Sequence, residues 1–449
     1  MDALAASSAD VVRIAAAPRL RGRLRMPGDK SISHRALLLA ALARGESRIV
    51  GASGGADVAS TAAAVQALGA TVARTDLPDG TVEYVISSPG PDGLTEPGGV
   101  LDCGNSGTTL RLTSGVIASL PMYAVLDGDA SLRRRPVARI IEPLRSMGAV
   151  LHARRSGSLP PLTVVGRSPL RAIEYGTPVP SAQVKSAILL AALRAEGVTR
   201  VSESVATRDH TERMLRARGV PVERIAHGAG ATIEMAGGGT VAPHDERVPG
   251  DFSAAAFWLV AASIHRDAEL HLAGVGVNPT RRALLELLES MGADIDATPA
   301  GQVRDGAGEP IADLVVRSAA LRAIDVGPAD TAAAIDEIPI LCLAATQASG
   351  RTTIRGAGEL RHKESDRLAG IAAGLTALGA RVGLAGDEIT IDGPTPLRGA
   401  TTVALGDHRL AMTFAVAGLV AAGTTDVTGA ASTSVSYPGF FDHIEGVQA

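Results

Sequence analysis

Six glycines divide the chain into lengths of similar size. Leu68-Gly69-Ala70, Met147-Gly148-Ala149, Arg218-Gly219-Val220, Met291-Gly292-Ala293, Leu378-Gly379-Ala380 and Glu445-Gly446-Val447 lie 79, 71, 73, 87 and 67 residues apart in a chain of 449. Each closes a helical pattern, and the first five precede a short strand pattern, as a left-handed helix C-cap does. Between them runs a second series, in which an Ala/Leu-rich apolar helical stretch leads to a strand-like run. The pairs are 34–44 with 47–50, 109–120 with 123–126, 183–194 with 198–201, 254–264 with 269–272, 338–347 with 352–355, and 410–422 with 424–428. Helices apolar on nearly every side belong inside a fold. The pattern predicts six helix–strand–helix–strand units, three to a domain, with one buried helix from each unit packed together and sheets around them.

A chain of this length exceeds one ordinary core, so two domains are expected. The halves echo one another: Met26-Pro27-Gly28-Asp29-Lys30-Ser31 recurs as Val248-Pro249-Gly250-Asp251-Phe252-Ser253. This places one domain at 27–247 and a discontinuous one at 1–26 plus 248–449. Residues 1–17 read as a ragged extension without the basic start and long apolar stretch of a signal peptide.

Composition narrows the function classes. A net charge of −4 with mixed signs argues against a nucleic-acid partner. No run reaches the roughly 18 apolar residues of a membrane span. Cys103 and Cys342 cannot build a disulfide framework, and a reduced cytosol suits them better. His34, His210, His362 and His408 lack metal-ligand spacing, so no metal is expected. Packing is the expected role of Cys103.

Of 43 basic residues only Lys30, Lys185 and Lys363 are lysine. A lysine that persists amid arginine marks places where a compact ammonium differs from a planar guanidinium. Lys30 stands in Pro27-Gly28-Asp29-Lys30-Ser31-Ile32-Ser33-His34-Arg35, and Lys363 in Lys363-Glu364-Ser365-Asp366-Arg367-Leu368. Polar motifs open most of the buried helices: Lys30-Ser31, Gly104-Asn105-Ser106-Gly107-Thr108, Ser181-Ala182-Gln183, Asp336-Glu337 and Asp407-His408-Arg409. Helix N-termini favour anions, and Arg35, Arg111, Arg135, Arg208, Arg367 and Arg409 add guanidinium forks. Converging helix ends in two facing domains would suit small polyanions. Asp336 and Glu364 are candidate base and acid, although singly each could be a salt bridge or a cap.

The two lysine motifs resemble the signatures of the EPSP synthase (3-phosphoshikimate 1-carboxyvinyltransferase) family. Asn105-Ser106-Gly107-Thr108, Arg135-Pro136, Ser181-Ala182-Gln183, Asp336-Glu337 and Asp407-His408-Arg409 follow in the family's order, over roughly residues 20–445. The resemblance implies two inside-out α/β domains, each of three βαβαββ units with buried parallel helices. It implies transfer of the enolpyruvyl group of phosphoenolpyruvate to the 5-hydroxyl of shikimate 3-phosphate, without metal or organic cofactor, in a cytoplasmic monomer whose domains close on substrate. Lys30, Ser31, Arg35, Ser181, Ala182, Gln183, Arg208, Asp336 and Lys363 would hold shikimate 3-phosphate. Lys30, Gly107, Arg135, Gln183, Arg367 and Arg409 would hold phosphoenolpyruvate, and Asp336, Glu364, Lys363 and Lys30 would be catalytic. In the family glyphosate occupies the phosphoenolpyruvate site, and a methyl at the Gly107 position crowds it. One departure is Val435, which stands where many members carry a lysine. Two rivals remain: the related transferase acting on UDP-N-acetylglucosamine, which usually has a catalytic cysteine on a loop, and a non-catalytic anion-binding relative.

Overall fold

The computed structural model describes residues 10–300 and 308–448, which form two compact units. One holds residues 27–249 with Gly308 and Glu309, and the other holds 10–26, 250–300 and 310–448. The boundary expected at 247/248 therefore falls two residues later. Val248 N–H donates to the Val50 carbonyl at 2.9 Å, and the Pro249 carbonyl accepts from Asp29 N–H at 2.8 Å. Gly308 and Glu309 join the same unit through Arg213, which donates to the Gly308 carbonyl, and His210, whose Nδ1 is 2.8 Å from Glu309.

The repeat is a βαβαββ element, seen whole at residues 101–165. Strand Leu101–Asp102 leads into helix Gly107–Ala118, then strand Tyr123–Asp127 parallel to the first, helix Ala138–Ser146, and an antiparallel pair Val150–Ala153 and Leu159–Val165. Residues 174–236 and 325–393 form the same four-stranded order. The three remaining repeats take a strand from a distant part of the chain. Glu246–Arg247 runs parallel to Arg44–Ala52, and Leu20–Arg25 runs parallel to Ala268–Gly276. In the last repeat Val11–Ala15 pairs antiparallel with Thr424–Thr428. Residues 11–15 are thus a sheet strand, not a ragged extension, while 1–9 lie outside the described residues.

The first five spaced glycines have φ between +80° and +109°, where a side chain would be strained. Gly446 is the exception. It lies within helix Phe440–Val447. The apolar helices are buried on all faces: Leu37, Leu38 and Leu39, consecutive on one helix, are all 0% exposed. Each such leucine contributes about 1.5–3 kcal/mol of burial. Helices Gly107–Ala118 and Ala182–Ala192 approach so closely that a Cβ on Gly115 would collide with the Ala187 backbone.

Several buried helices start two to four residues before their apolar stretch, because a polar side chain caps them. Asp29 accepts from Ile32 N–H, Ser106 from Thr109 N–H, Ser181 from Val184 N–H, Asp251 from Ser253 N–H and Asp407 from Arg409 N–H. Such caps are each worth about 1 kcal/mol. They also fix the backbone of the residues beside them, among them the candidate site residues Lys30, Gly107 and Arg409.

Candidate active site

In the unit of residues 250–448, the acids and cations singled out in the sequence form one cluster. Arg367, 1% exposed, is its centre. Its Nε donates to Asp407 Oδ2 at 2.7 Å, its Nη2 to Glu364, and its Nη1 to Asp336 Oδ1 at 3.5 Å. Lys363 Nζ lies 3.3 Å from the same Asp336 oxygen, and Arg409 Nη2 lies 4.0 Å from the other. Burial works to lower the Arg367 pKa, but Asp407, Glu364 and Asp336 outweigh it and leave the guanidinium raised. Burial likewise raises Asp407, yet Arg367 prevails and holds that carboxylate below its usual range. Asp336 and Glu364 are therefore brought to one place by a permanently charged guanidinium, with a lysine and a second arginine alongside.

Beside them sits a buried layer whose arginine, Arg281, sequence inspection missed. Arg281 Nη1 donates to Glu337 Oε1 at 2.9 Å, Ser253 Oγ donates to the same oxygen, and Arg409 Nη2 reaches Ser253 Oγ at 3.1 Å. Glu337 directly precedes helix Ile338–Gln347 and follows Asp336, so pinning its side chain fixes its neighbour. For Arg281 the signal in the sequence was the polar run Asn278-Pro279-Thr280-Arg281.

In the unit of residues 27–249, the starts of three buried helices are cross-linked by side chains. Lys30 pairs with Asp57, at the start of helix Ala56–Ala67. Thr109 Oγ1 reaches the Asp57 carbonyl at 3.2 Å and Thr61 Oγ1 at 2.7 Å, and His34 Nδ1 lies 2.7 Å from Thr61 Oγ1. Arg111 donates to Gln183 Oε1, whose amide donates to Thr108 Oγ1 at 2.8 Å. Arg135 donates to the Asn105 carbonyl at 3.0 Å and to Ser131 Oγ at 3.1 Å. A Cβ on Gly107 would lie 2.9 Å from Arg111 Nη1 and 3.7 Å from Arg135 Nη1, so both guanidiniums border this glycine. Arg35 is buried. It donates to Thr211 Oγ1 and Ser186 Oγ, each at 2.7 Å, and to the Ser31 carbonyl at 3.0 Å. Ser181 caps its helix, Ala182 begins it, and Arg208 lies two residues before the His210–Ala217 helix. Asp57, Thr211 and Ser186 were not identifiable from the sequence, since each reaches a partner 27 or more positions away.

Both cysteines are buried and form no disulfide. Burial pushes each thiol pKa up to about 12, Cys103 further helped by Asp102 and Asp127. Val435 ends the short helical turn Ala430–Val435. Among the described residues no helix is long and apolar enough to cross a membrane.

His34 gives a stability prediction. Burial, then Lys30 and Arg35, hold its pKa well below 6.5, so it stays neutral when folded while the unfolded chain takes up a proton. Stability is therefore expected to fall as pH drops below about 6.5, by up to about 1.4 kcal/mol per pH unit. Urea unfolding of wild type and His34→Gln between about pH 7 and pH 5 checks it: the variant should show the shallower slope, and equal slopes would count against a neutral His34.

Comparisons with known proteins show the family and the fold. The family model of EPSP synthase (3-phosphoshikimate 1-carboxyvinyltransferase) matches residues 14–444. The chain is 51% identical over 436 residues to the 3-phosphoshikimate 1-carboxyvinyltransferase of Gloeobacter violaceus, covering 97% of this chain and 98% of that protein. It is 46% identical over 426 residues to that of Bacillus thuringiensis, covering 95% and 96%. Among solved structures, EPSP synthase from Acinetobacter baumannii superposes with a TM-score of 0.85 at 38% identity, covering 98% of each chain. The enolpyruvyl transferase NikO from Streptomyces tendae shares the fold, with a TM-score of 0.77 at 19% identity over 98% and 97% of the two chains. With its βαβαββ repeats and near-complete coverage by these relatives, the chain belongs to the EPSP synthase family.

Proposed function

We propose that the chain transfers the enolpyruvyl group of phosphoenolpyruvate to the 5-hydroxyl of shikimate 3-phosphate, releasing phosphate, with the residues of these two clusters as its machinery. The observation that carries this reading is the junction of Asp336, Lys363, Glu364 and Arg367: two carboxylates and two cations, joined by contacts of 3.3 Å and 3.5 Å and by the Arg367–Glu364 pair. Glu364 protonates the methylene carbon of phosphoenolpyruvate, which leaves C2 cationic. Asp336 takes the proton of the 5-hydroxyl as its oxygen attacks C2, and Lys363 orients that hydroxyl. The tetrahedral adduct then expels phosphate while a carboxylate removes a proton from the new methyl group. Arg367 and Arg409 stabilise charge on the phosphoenolpyruvate carboxylate and phosphate, as fixed charges do best where no reorganisation is needed.

In the other unit, Ser31, Arg35, Ser181, Ala182 and Arg208 hold shikimate 3-phosphate. Lys30 and Gln183 serve both substrates, and Gly107 and Arg135 serve phosphoenolpyruvate. The backbone N–H groups at the Gly107 helix start supply further donors to an anion. The reading extends to a monomer at work in the cytoplasm on small molecules alone, in keeping with two unpaired buried cysteines and a net charge of −4.

Acceptor choice tests the reaction. Phosphate release from phosphoenolpyruvate should depend on shikimate 3-phosphate and not occur with UDP-N-acetylglucosamine; the reverse preference, or release with neither, would overturn the reading. Both thiols, buried and hard to ionise, favour the first acceptor.

Gly107→Ala probes the phosphoenolpyruvate side. The new methyl forces the Arg111 guanidinium aside and disturbs its hold on Gln183. The KM for phosphoenolpyruvate is expected to rise about tenfold, equivalent to about 1.4 kcal/mol, with a smaller change in kcat and with weaker inhibition by glyphosate than wild type shows. Matched steady-state kinetics of the two proteins check it, and equal KM values would contradict the placement of Gly107.

A further inference from the structure

Lys185, the third lysine, has no part in the chemistry above, yet it is the most thoroughly buried cation of its unit that pairs with two carboxylates. Its side chain is 1% exposed, and those of Glu203 and Glu212 are 0% exposed. Nζ lies 2.8 Å from Glu203 Oε2 and 2.8 Å from Glu212 Oε1, and it donates to the Thr207 carbonyl at 3.3 Å. Glu203 in turn accepts from the Thr207 N–H at 3.2 Å and from the Thr207 hydroxyl. Thr207 is thereby held at its N–H, its hydroxyl and its carbonyl, and the next residue is Arg208.

The same pairing repeats one residue along on both helices. Lys185 is followed by Ser186, and Glu212 is preceded by Thr211. Ser186 Oγ and Thr211 Oγ1 lie 2.7 Å apart, and each receives an N–H from the Arg35 guanidinium. The ion pair that locks helix Ala182–Ala192 to helix His210–Ala217 therefore sets the spacing of the two hydroxyls that aim Arg35. Charges balance within the group, with Lys185 and Arg35 against Glu203 and Glu212. Burial works to lower the Lys185 pKa, but Glu212 and Glu203 outweigh it and leave it raised. Burial brings Arg35 down to about 10, with Glu212 opposing.

A buried ion group of this kind adds little net stability over an apolar replacement. Its geometry, by contrast, reaches three points proposed to contact one substrate: Ser181 at the start of its own helix, Arg208 after Thr207, and Arg35 through Ser186 and Thr211. We infer that Lys185, with Glu203 and Glu212, is a positioning centre for the shikimate 3-phosphate subsite, holding Arg208 and Arg35 at the spacing that the substrate's anionic groups require. This rests on the function proposed above.

The test is Lys185→Met, which keeps length and removes charge, read out by calorimetric affinity for shikimate 3-phosphate and by the KM of each substrate. Affinity for shikimate 3-phosphate should fall about tenfold or more, the scale of a misplaced binding group, while the KM for phosphoenolpyruvate stays within about twofold. Unchanged affinity in a folded variant, or an equal rise in both KM values, would overturn the inference. Should Lys185→Met not fold, Thr207→Val leaves the ion pairs intact and removes only the hydroxyl tie. It should weaken shikimate 3-phosphate alone, by about threefold to fivefold, and wild-type affinity in that variant would also overturn the inference. Absence of acceptor-dependent turnover in the wild type would instead remove the reading beneath it.

Discussion

Asp336→Asn is expected to lower turnover by about 10²–10⁴-fold, the contribution of a positioned general base. The substitution keeps the shape of the side chain and removes its capacity to take a proton. Lys363 at 3.3 Å, Arg367 at 3.5 Å and Arg409 at 4.0 Å surround the carboxylate. Because Arg367 keeps Asp407 and Glu364 as partners, the cluster should survive the change and substrate affinity should move far less than turnover. Rapid-quench single-turnover measurements separate chemistry from binding. A fall of less than about tenfold in the chemical step would contradict the role given to Asp336.

Asp407→Asn should be the most destabilising polar substitution in the same unit. Asp407 is 0% exposed and accepts from Arg367 Nε at 2.7 Å, Ser365 Oγ at 3.1 Å and Arg409 N–H at 2.9 Å. An amide keeps one accepting oxygen but turns an NH₂ toward donors, and it leaves the buried Arg367 charge with less compensation. Breaking one side of a buried ion pair costs about 3–5 kcal/mol. Urea unfolding of wild type and variant at neutral pH checks this, and a loss below about 1 kcal/mol would contradict it. The depressed Asp407 pKa also fixes the sign of the acid limb. Its stabilisation is present above the unfolded carboxylate pKa, about 3.9, and is lost as pH falls through the folded value.

Much of this fold is legible in the sequence because it repeats. Apolar runs without a polar face mark the six buried helices, and five glycines mark the reversals that follow their outer neighbours. The helix starts were legible from the polar motifs that open them, and Asp29, Ser106 and Ser181 cap the helices there. Strand exchange was partly hidden. The echo of Met26-Pro27 at Val248-Pro249 showed where the chain crosses, but nothing in 11–15 announces pairing with 424–428, a contact of very long range. Gly446 resembled the other five and differs in lying inside helix Phe440–Val447; among the described residues the last repeat's sheet has three strands, without the edge strand that follows the glycine in the others.

The site divides in the same way. Residues in dense motifs, such as Lys30 and Lys363-Glu364, stand out because several reactive types sit together. Arg281 and Glu337 do not, since one lies in a loop and the other reads as the neighbour of Asp336. Their meaning comes from a 2.9 Å contact across 56 positions. Lys185 was visible as a surviving lysine, but its partners Glu203 and Glu212 lie 18 and 27 positions away on a strand and another helix. Periodicity reports which face a residue occupies and carries no record of which distant charge will meet it.

Protonation of the phosphoenolpyruvate methylene carbon by an acid of the Asp336–Glu364 cluster is the step on which everything else depends, and turnover in D₂O tests it directly. Protonation followed by loss of a hydrogen from the resulting methyl group must leave deuterium in the vinylic position of the product, read by mass spectrometry and NMR. Wild type is expected to give deuterated product, and Glu364→Gln is expected to lose exchange and turnover together. Product and phosphate formed at the full rate with no deuterium at that carbon would show that the methylene is never protonated, and would contradict the mechanism.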